Sequence, residues 1–229
     1  MKKNILITGC SSGLGLALTQ YYLDNDFTVY GISRNKPNID NKNFIFKEFD
    51  LSKLDSIGTK LTPFIDEIGE LEIAYLNAGI LGDIKEMKHQ SVDDIKKALD
   101  INVFANKELL DILSQQKVSN IIAISSGAAK NGSKGWGAYS LSKATLNMLI
   151  NLYSKEMLET KILAVAPGVI ETPMTDVIRF DVDDSIFTSA KILKSGEIQQ
   201  PLDAAMRLDD VVKRANEFES GSFIDVRNI

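Results

Sequence analysis

Two side chains four residues apart, Tyr139 and Lys143, form the pair with the clearest chemical use in this sequence. In a helix, residues at this spacing lie one turn apart on the same face. A nearby ammonium group favours the phenolate and lowers the tyrosine pKa from its unperturbed value of about 10 toward neutrality. A phenol tuned in this way can give a proton to, or take one from, a carbonyl or alcohol oxygen. Taken alone, the pair is also typical of a solvated helix surface.

A glycine-rich junction near the start of the chain predicts a phosphate site. The apolar run Ile5-Leu6-Ile7 is typical of a strand buried on both faces, and Gly-x-x-x-Gly-x-Gly follows at 9–15. A helix then begins near Leu14. Such a junction directs unpaired N–H groups and the positive end of a helix dipole at one point, which suits a phosphate. The candidate phosphate-binding residues here are Gly9, Ser11, Ser12, Gly13, Leu14 and Gly15, although the spacing is not the Gly-x-Gly-x-x-Gly of the standard dinucleotide fingerprint.

The elements that must position these residues alternate along the chain. Strand-like runs are found at 28–32, 44–46, 71–76, 120–124, 162–166 and 222–224, and helical patterns separate most of them. Ser52 or Asp55 is predicted to cap the helix after the third strand. One long helix is predicted from Ser91-x-x-Asp94, with a break near Asn102, and another helix over 201–218. Alternation predicts parallel strands joined by right-handed crossovers. We therefore predict one α/β domain over residues 1–229, a doubly wound parallel sheet of the Rossmann type with about seven strands and helices on both faces. The alternation of strands and helices ends after Pro167. We expect the residues at about 173–200 to form a variable segment that contacts the substrate.

Ligands of such sheets bind beyond the carboxyl ends of the strands, which directs attention to the residues that follow each strand. The candidates at these positions are Arg34, Asp50, Leu51, Asn77, Ala78, Gly79, Ser126, Pro167 and Gly168.

The end of the second strand predicts which nicotinamide coenzyme is used. An enzyme that uses NAD usually places an acid about 20 residues past the glycine loop, to hold the adenosine 2′-hydroxyl. Counting from Gly13, 33 − 13 = 20 leads to Ser33, with Arg34 next. A serine leaves room for a 2′-phosphate, and a guanidinium can bind it through two hydrogen bonds. The sequence therefore predicts NADP(H), with Arg34 as the discriminating residue.

Taken together, the motifs resemble those of the short-chain dehydrogenase/reductase family over essentially the whole chain, from Lys3 to Asp225. Five elements match in order: Thr8-Gly9-x-x-x-Gly13-x-Gly15, Asn77-Ala78-Gly79, Asn102 in Ile101-Asn102-Val103, Ser126 at 139 − 126 = 13 residues before Tyr139, and Pro167-Gly168-x-x-x-Thr172. One departure is Leu76, where many members have an asparagine, so that a contact that stabilises the sheet is expected to be missing.

The resemblance implies roles for individual residues. NADPH would deliver hydride to a carbonyl carbon, Tyr139 would protonate the developing alkoxide, and Ser126 would hold the carbonyl oxygen. Lys143 would lower the tyrosine pKa and bind the nicotinamide ribose, and Asn102 would hold a water that links Lys143 to solvent. Coenzyme contacts would also come from Tyr139 and from the stretch that contains Pro167, Gly168, Val169 and Thr172. The implied reaction interconverts a small carbonyl compound and its alcohol.

Composition limits the other classes of function. The 229 residues carry a net charge of −5 without a basic block, which argues against a nucleic-acid partner. No apolar run approaches the roughly 20 residues that span a bilayer, so no membrane partner is expected. Because Cys10 is the single cysteine, an intramolecular disulfide is excluded. The single histidine, His89, has no partner histidine or cysteine near it in the sequence with which it could bind a metal. We expect a cytoplasmic protein without a metal.

The chain is also expected to associate with itself. A helix predicted at 138–158 is apolar beyond one stripe, so one face can cover the sheet while the other needs a partner. The resemblance implies pairing through this helix and the region 100–116, which gives a homodimer, with a homotetramer as the alternative.

Two further interpretations remain open from the sequence. The chain could bind NADP(H) as a regulator without turnover, although such a protein has no need of a proton relay. It could also be a serine hydrolase, because Gly9-x-Ser11-x-Gly13 fits the nucleophile elbow; its base would then have to be His89.

Overall fold

Seven parallel strands form one sheet in the order β3-β2-β1-β4-β5-β6-β7. The computed structural model describes residues 3–229, so positions 1 and 2 of the predicted domain lie outside the described residues. The strands are β1 (Asn4–Thr8), β2 (Thr28–Ser33), β3 (Phe44–Glu48), β4 (Leu71–Leu76), β5 (Val118–Ile124), β6 (Lys161–Ala166) and β7 (Phe223–Asp225). The helices are α1 (Gly13–Asp24), α2 (Leu54–Asp66), α3 (Val92–Leu99), α4 (Ala105–Leu113), α5 (Gly137–Glu156), α6 (Pro173–Asp176), α7 (Thr188–Ser195) and α8 (Pro201–Lys213). The predicted single-domain, doubly wound α/β fold is confirmed.

Helices cover both faces of the sheet because successive strand side chains point to opposite sides. Ile5 and Ile7 of β1 belong to a core that includes α1 and α8, whereas Leu6 belongs to a second core with α2, α4 and α5. Burial on both sides explains the unbroken apolar runs of the central strands.

Strand β1 lies between β2 and β4, so the chain reverses its direction of travel across the sheet at this point. The crevice beyond the carboxyl ends of β1 and β4 is the position at which this class of sheet binds ligands. The topology therefore brings Gly9, which follows β1, beside Asn77, which follows β4.

The long helical region from residue 91 is interrupted near Asn102, as the sequence predicts. Ser91 and Asp94 form a reciprocal capping box at the start of α3. A π-helical turn, Asp100–Phe104, then separates α3 from α4.

Two expectations about helix ends were wrong. Lys53 occupies the N-cap of α2 without a side-chain hydrogen bond, whereas Ser52 or Asp55 was expected to cap it. The Ser52 N–H instead bonds to the Asp50 carboxylate at 3.0 Å, which closes a turn before the helix. The helix predicted over 201–218 ends at Lys213, and a short 3₁₀ turn follows at Ala215–Glu217.

The irregular segment 173–200 folds over the carboxyl end of the sheet. It contains α6, a π-helical turn at Val177–Asp181, and α7. A parallel bridge between Ile170 and Gln199 ties its end to its beginning. Among residues 3–229, no helix has both the length and the apolar character that crossing a bilayer requires.

Candidate active site

The glycine loop forms a narrow turn between β1 and α1. Gly9 has φ +70°, a left-handed conformation that a side chain disfavours. A Cβ atom on Gly15 would lie 2.0 Å from the carbonyl oxygen of Gly9, so only glycine fits there. Ser12 caps α1 without a side-chain hydrogen bond. The first N–H groups of α1 are therefore free to bind an anion.

A hydrogen-bonded clamp joins this loop to the end of β4. The Asn77 side-chain amide donates to the carbonyl oxygens of Thr8 and Gly9 at 2.9 and 3.3 Å. In return, the Thr8 hydroxyl oxygen accepts the backbone N–H groups of Asn77 and Ala78 at 3.0 and 3.1 Å. The neighbouring Leu76 is 1% exposed and packs in the second core. The clamp fixes both loops although no asparagine stands at position 76.

At the other end of the crevice lie Ser33, Arg34 and Asp50. The Ser33 hydroxyl donates to the Asn35 carbonyl oxygen at 2.7 Å. Its oxygen accepts a hydrogen bond from the Cys10 thiol at 3.5 Å, so the buried cysteine has a polar partner. Arg34 is exposed. Hydrogen bonds from Ser52, and to a smaller degree the charge of Arg34, hold the pKa of the Asp50 carboxyl below its usual value.

The end of the crevice that holds the predicted catalytic residues is built from β5 and α5. Ser126 follows β5, and its hydroxyl oxygen accepts the Ala128 N–H at 3.2 Å. Tyr139 and Lys143 lie in the first two turns of α5. The Lys143 ammonium donates to the Ile124 carbonyl oxygen at 2.7 Å and lies 5.8 Å from the centroid of the Tyr139 ring.

Burial dominates the electrostatics of this pair. It raises the pKa of the Tyr139 phenol, and the hydrogen-bonding effect of Ser126 opposes this only partly. Burial also lowers the pKa of Lys143 to about 8. The expectation that Lys143 would bring the tyrosine pKa toward neutrality was therefore wrong for this structure, because the cost of removing the phenolate from water is the larger effect.

Asn102 lies behind the other three predicted catalytic residues and does not line the crevice. The side chain is buried in the π-helical turn. Its amide nitrogen donates to the Ile80 carbonyl oxygen and to the Ser142 hydroxyl, both at 2.9 Å, and its amide oxygen accepts the Ile80 N–H at 2.8 Å. Asn102 thus joins the loop after β4 to α5. A Cβ on Gly79 would lie 3.0 Å from the Asn102 amide oxygen and 3.4 Å from the Lys143 ammonium, so the three residues are neighbours.

The loop after β6 borders the crevice on the side next to the glycine loop. Gly168 has φ +86°, and the Gln199 amide donates to the Pro167 carbonyl oxygen. The Thr172 hydroxyl oxygen accepts the Thr175 N–H at 3.3 Å and so caps α6. The Thr172 methyl group would lie 3.0 Å from a Cβ on Gly13, so this loop meets the glycine loop closely.

One cavity of ≈ 630 Å³ brings the predicted residues together. Ser126 lines it, as does every residue predicted to contact the coenzyme: Gly9, Ser11, Ser12, Gly13, Leu14, Gly15, Arg34, Asp50, Leu51, Asn77, Ala78, Gly79, Tyr139, Lys143, Pro167, Gly168, Val169 and Thr172. His89 does not line this cavity, and its Nδ1 lies 3.9 Å from the Glu86 carboxylate, so Ser11 has no histidine base there. Sequence reasoning missed the lining residues Leu81, Ile178 and Leu193, for which the sequence carries no motif.

Comparisons with known proteins agree with this geometry. A family model described as short chain dehydrogenase matches residues 3–183. A benzil reductase ((S)-benzoin forming) from Bacillus cereus is 30% identical over 97% of this chain and 98% of its own length. The crystal structure of a short chain dehydrogenase/reductase from Saccharomyces cerevisiae superposes with a TM-score of 0.85 at 24% identity, over 98% of this chain and 96% of that one. The structure of ElxO with NADP bound superposes with a TM-score of 0.79 at 25% identity, over 99% of this chain and 97% of that one.

Proposed function

The chain belongs to the short-chain dehydrogenase family, and from this premise we propose that it is an NADP(H)-dependent oxidoreductase that interconverts a carbonyl compound and its alcohol. One observation carries the proposal: Ser126, Tyr139 and Lys143 line the same cavity as the glycine loop. The benzil reductase among the relatives, whose name describes reduction of a carbonyl compound, supports this type of reaction.

The shape of the cavity fits a nicotinamide coenzyme. Position 15 admits no side chain, and the start of α1 offers uncapped N–H groups at that place, as a bound pyrophosphate requires. Arg34 and Lys36 line the cavity where the coenzyme's 2′-phosphate would lie. When bound, the coenzyme supplies the hydride for reduction or accepts it in the reverse direction.

The side chains of this protein would then handle the proton. The raised pKa of Tyr139 keeps its phenol protonated at neutral pH, which is the form that donates a proton to a substrate oxygen during reduction. Ser126 would donate a hydrogen bond to the same oxygen and fix its position. Lys143 carries its charge below about pH 8, so it favours the phenolate left behind. In this proposal Asn102 holds the water through which Lys143 exchanges its proton with solvent.

Turnover tests the proposal directly. NADPH oxidation is followed by absorbance with a panel of aldehydes, ketones and quinones, and NADP⁺ reduction with the matching alcohols. We expect at least one carbonyl compound to be reduced at neutral pH. Saturable coenzyme binding without turnover in either direction would instead favour a regulator that senses NADP(H).

Replacing Arg34 by alanine is expected to lower kcat/KM for NADPH by roughly 5- to 150-fold and to leave kcat/KM for NADH nearly unchanged. The reason is the loss of a charged hydrogen bond to the 2′-phosphate, worth about 1–3 kcal/mol. The measurement compares kcat/KM for the two coenzymes in both proteins. Lys42→Ala removes the same charge from an exposed residue outside the cavity and serves as the control. A wild type that prefers NADH, or a variant that keeps its preference for NADPH, would contradict the assignment.

We also propose a homodimer, with a homotetramer as the alternative. Leu141, Met148 and Leu152 of α5 are 46%, 60% and 54% exposed, and Phe104 in the π-helical turn beside α5 is 45% exposed. Leu146 and Ile150 of α5 are fully buried against the sheet, so the exposed residues form a second apolar face. Light scattering of the wild type is expected to give at least twice the mass of one chain.

Met148→Glu is expected to shift the molecule toward the monomer because it places a charge in the apolar face. Leu202→Glu on α8, which covers the opposite side of the sheet, is the matched control and should leave a dimer intact. A wild type that is monomeric at micromolar concentration refutes the pairing.

A further inference from the structure

We propose that the substrate is a neutral, largely apolar carbonyl compound and that the site rejects carbonyl compounds bearing a carboxylate or phosphate. This inference rests on the proposed oxidoreductase function and specifies the substrate class of that site. It follows from an apolar wall beside Tyr139, which the segment 173–200 forms together with Leu81 and Trp136. We call this the substrate wall, and its members are Leu81, Trp136, Met174, Ile178 and Leu193.

The substrate wall is apolar throughout. Leu81, Trp136 and Ile178 belong to a third buried cluster, separate from the two cores of the sheet. Met174, Leu193 and the Tyr139 ring are partly buried and pack against this cluster. They also line the same cavity as Ser126 and Lys143. A substrate whose oxygen is held by Tyr139 and Ser126 would therefore place its remaining atoms against hydrocarbon and aromatic surface.

The one hydrogen-bond donor among the side chains of the substrate wall is already used. The indole N–H of Trp136 donates to the Ser189 hydroxyl of α7 at 2.6 Å. The Trp136 and Tyr139 rings lie 6.3 Å apart between centroids, at an angle of 59°. Trp136 thus has no spare donor for a substrate anion and presents its ring carbons.

Three cationic side chains near the substrate wall form ion pairs, and a fourth, Lys191, is exposed and lies outside the cavity. Arg179 pairs with Glu171 at 3.5 Å, and Lys134 pairs with Glu86 at 2.7 Å. Lys194 pairs with Asp184 at 3.3 Å and donates to a backbone carbonyl oxygen at 2.9 Å. Between positions 173 and 200 the sequence holds five acidic and three basic residues, a net charge of −2. The surroundings would therefore repel an anion.

Within the described part of the chain, the charged residues that line the cavity are Arg34, Lys36, Asp50 and Lys143. The first three lie at the end assigned to the coenzyme phosphate, and Lys143 is assigned to the proton relay. A carboxylate or phosphate on the substrate would lose its hydration without gaining a cation, which is strongly unfavourable. A neutral ketone of the same size pays no such cost.

The experiment compares methyl benzoylformate with benzoylformate, which differ in charge but share the same aromatic ketone. Trp136 is the only tryptophan of the chain and lies on the substrate wall, so its fluorescence reports binding without turnover. Titrations use the full chain saturated with NADP⁺. We expect the neutral ester to bind at least about tenfold more tightly than the anion. The reduction of both compounds by NADPH is measured in parallel.

Leu193→Lys adds a cation to the substrate wall at a partly exposed position, and Leu193→Gln is the neutral control of similar size. The lysine variant should bind the anion at least about tenfold more tightly than the glutamine variant does, with little change for the ester.

The inference is overturned if the wild type binds benzoylformate as tightly as the ester, or if neither compound changes the Trp136 signal. If the ester binds selectively but neither it nor any other carbonyl compound is reduced, the proposed reaction fails while the preference of the site for neutral compounds stands.

Discussion

Replacing Tyr139 by phenylalanine is expected to lower kcat by about 10²-fold or more, with coenzyme affinity nearly unchanged. The substitution keeps the ring that packs against the substrate wall and removes only the proton that the substrate oxygen needs. Phenylalanine carries no ionisable proton, so the variant has no acid at this position to protonate the substrate oxygen. Steady-state reduction by NADPH and a separate coenzyme titration measure the two quantities.

Tyr30→Phe provides the matched control for this variant. Tyr30 lies on β2 and stacks edge-on against Phe64 of α2, outside the cavity, so loss of its hydroxyl should leave kcat unchanged. A Tyr139→Phe protein with near-normal reductase activity would remove this residue from the acid role.

Gly15→Ala is expected to abolish measurable coenzyme binding and to lower the melting temperature by at least about 4 °C. The added methyl group would lie 2.0 Å from the Gly9 carbonyl oxygen and 2.6 Å from the Asn77 amide nitrogen. Relief of this clash must displace α1 or break the clamp between the two loops, at a cost of about 2 kcal/mol or more. For a chain of this length, each kcal/mol lowers the melting temperature by roughly 2–4 °C. Calorimetry and a fluorescence titration with NADPH check both effects.

Gly58→Ala separates this clash from a general effect of changing glycine in a helix. Gly58 lies in α2, and a Cβ there meets no atom within 4 Å. Alanine favours the helix by about 1 kcal/mol, so this variant should be slightly more stable and should bind the coenzyme normally. A Gly15→Ala protein that behaves in the same way would show that the glycine loop tolerates a side chain.

Much of the fold could be predicted because the signals that specify it are local. The strands predicted from apolar runs begin and end within two residues of those observed; 71–76, for example, matches Leu71–Leu76. The spacing of Tyr139 and Lys143 is equally local, since one helix carries both. The parallel topology then brings the strand ends to one edge of the sheet, so residues far apart in sequence could be assigned to one cavity.

The features that escaped prediction depend on contacts between distant segments. Leu81, Ile178 and Leu193 come from three stretches with no common pattern, and only folding places them in one wall. The pKa of Tyr139 depends on how much protein surrounds the phenol, which the spacing to Lys143 does not reveal. The interruption near Asn102 was expected, but its π-helical form and the bond to Ser142 were not.

Strands β4, β5, β6 and β7 stand in the sheet in the order in which a ribosome releases them. Each new strand can therefore dock on the edge left by the one before it, and the sheet grows outward in one direction during synthesis. Until Phe223–Asp225 has emerged, β6 has an open edge that another chain could pair with. Because Pro167 to Thr172 directly follow β6, the closing side of the cavity would be among the last parts to become rigid.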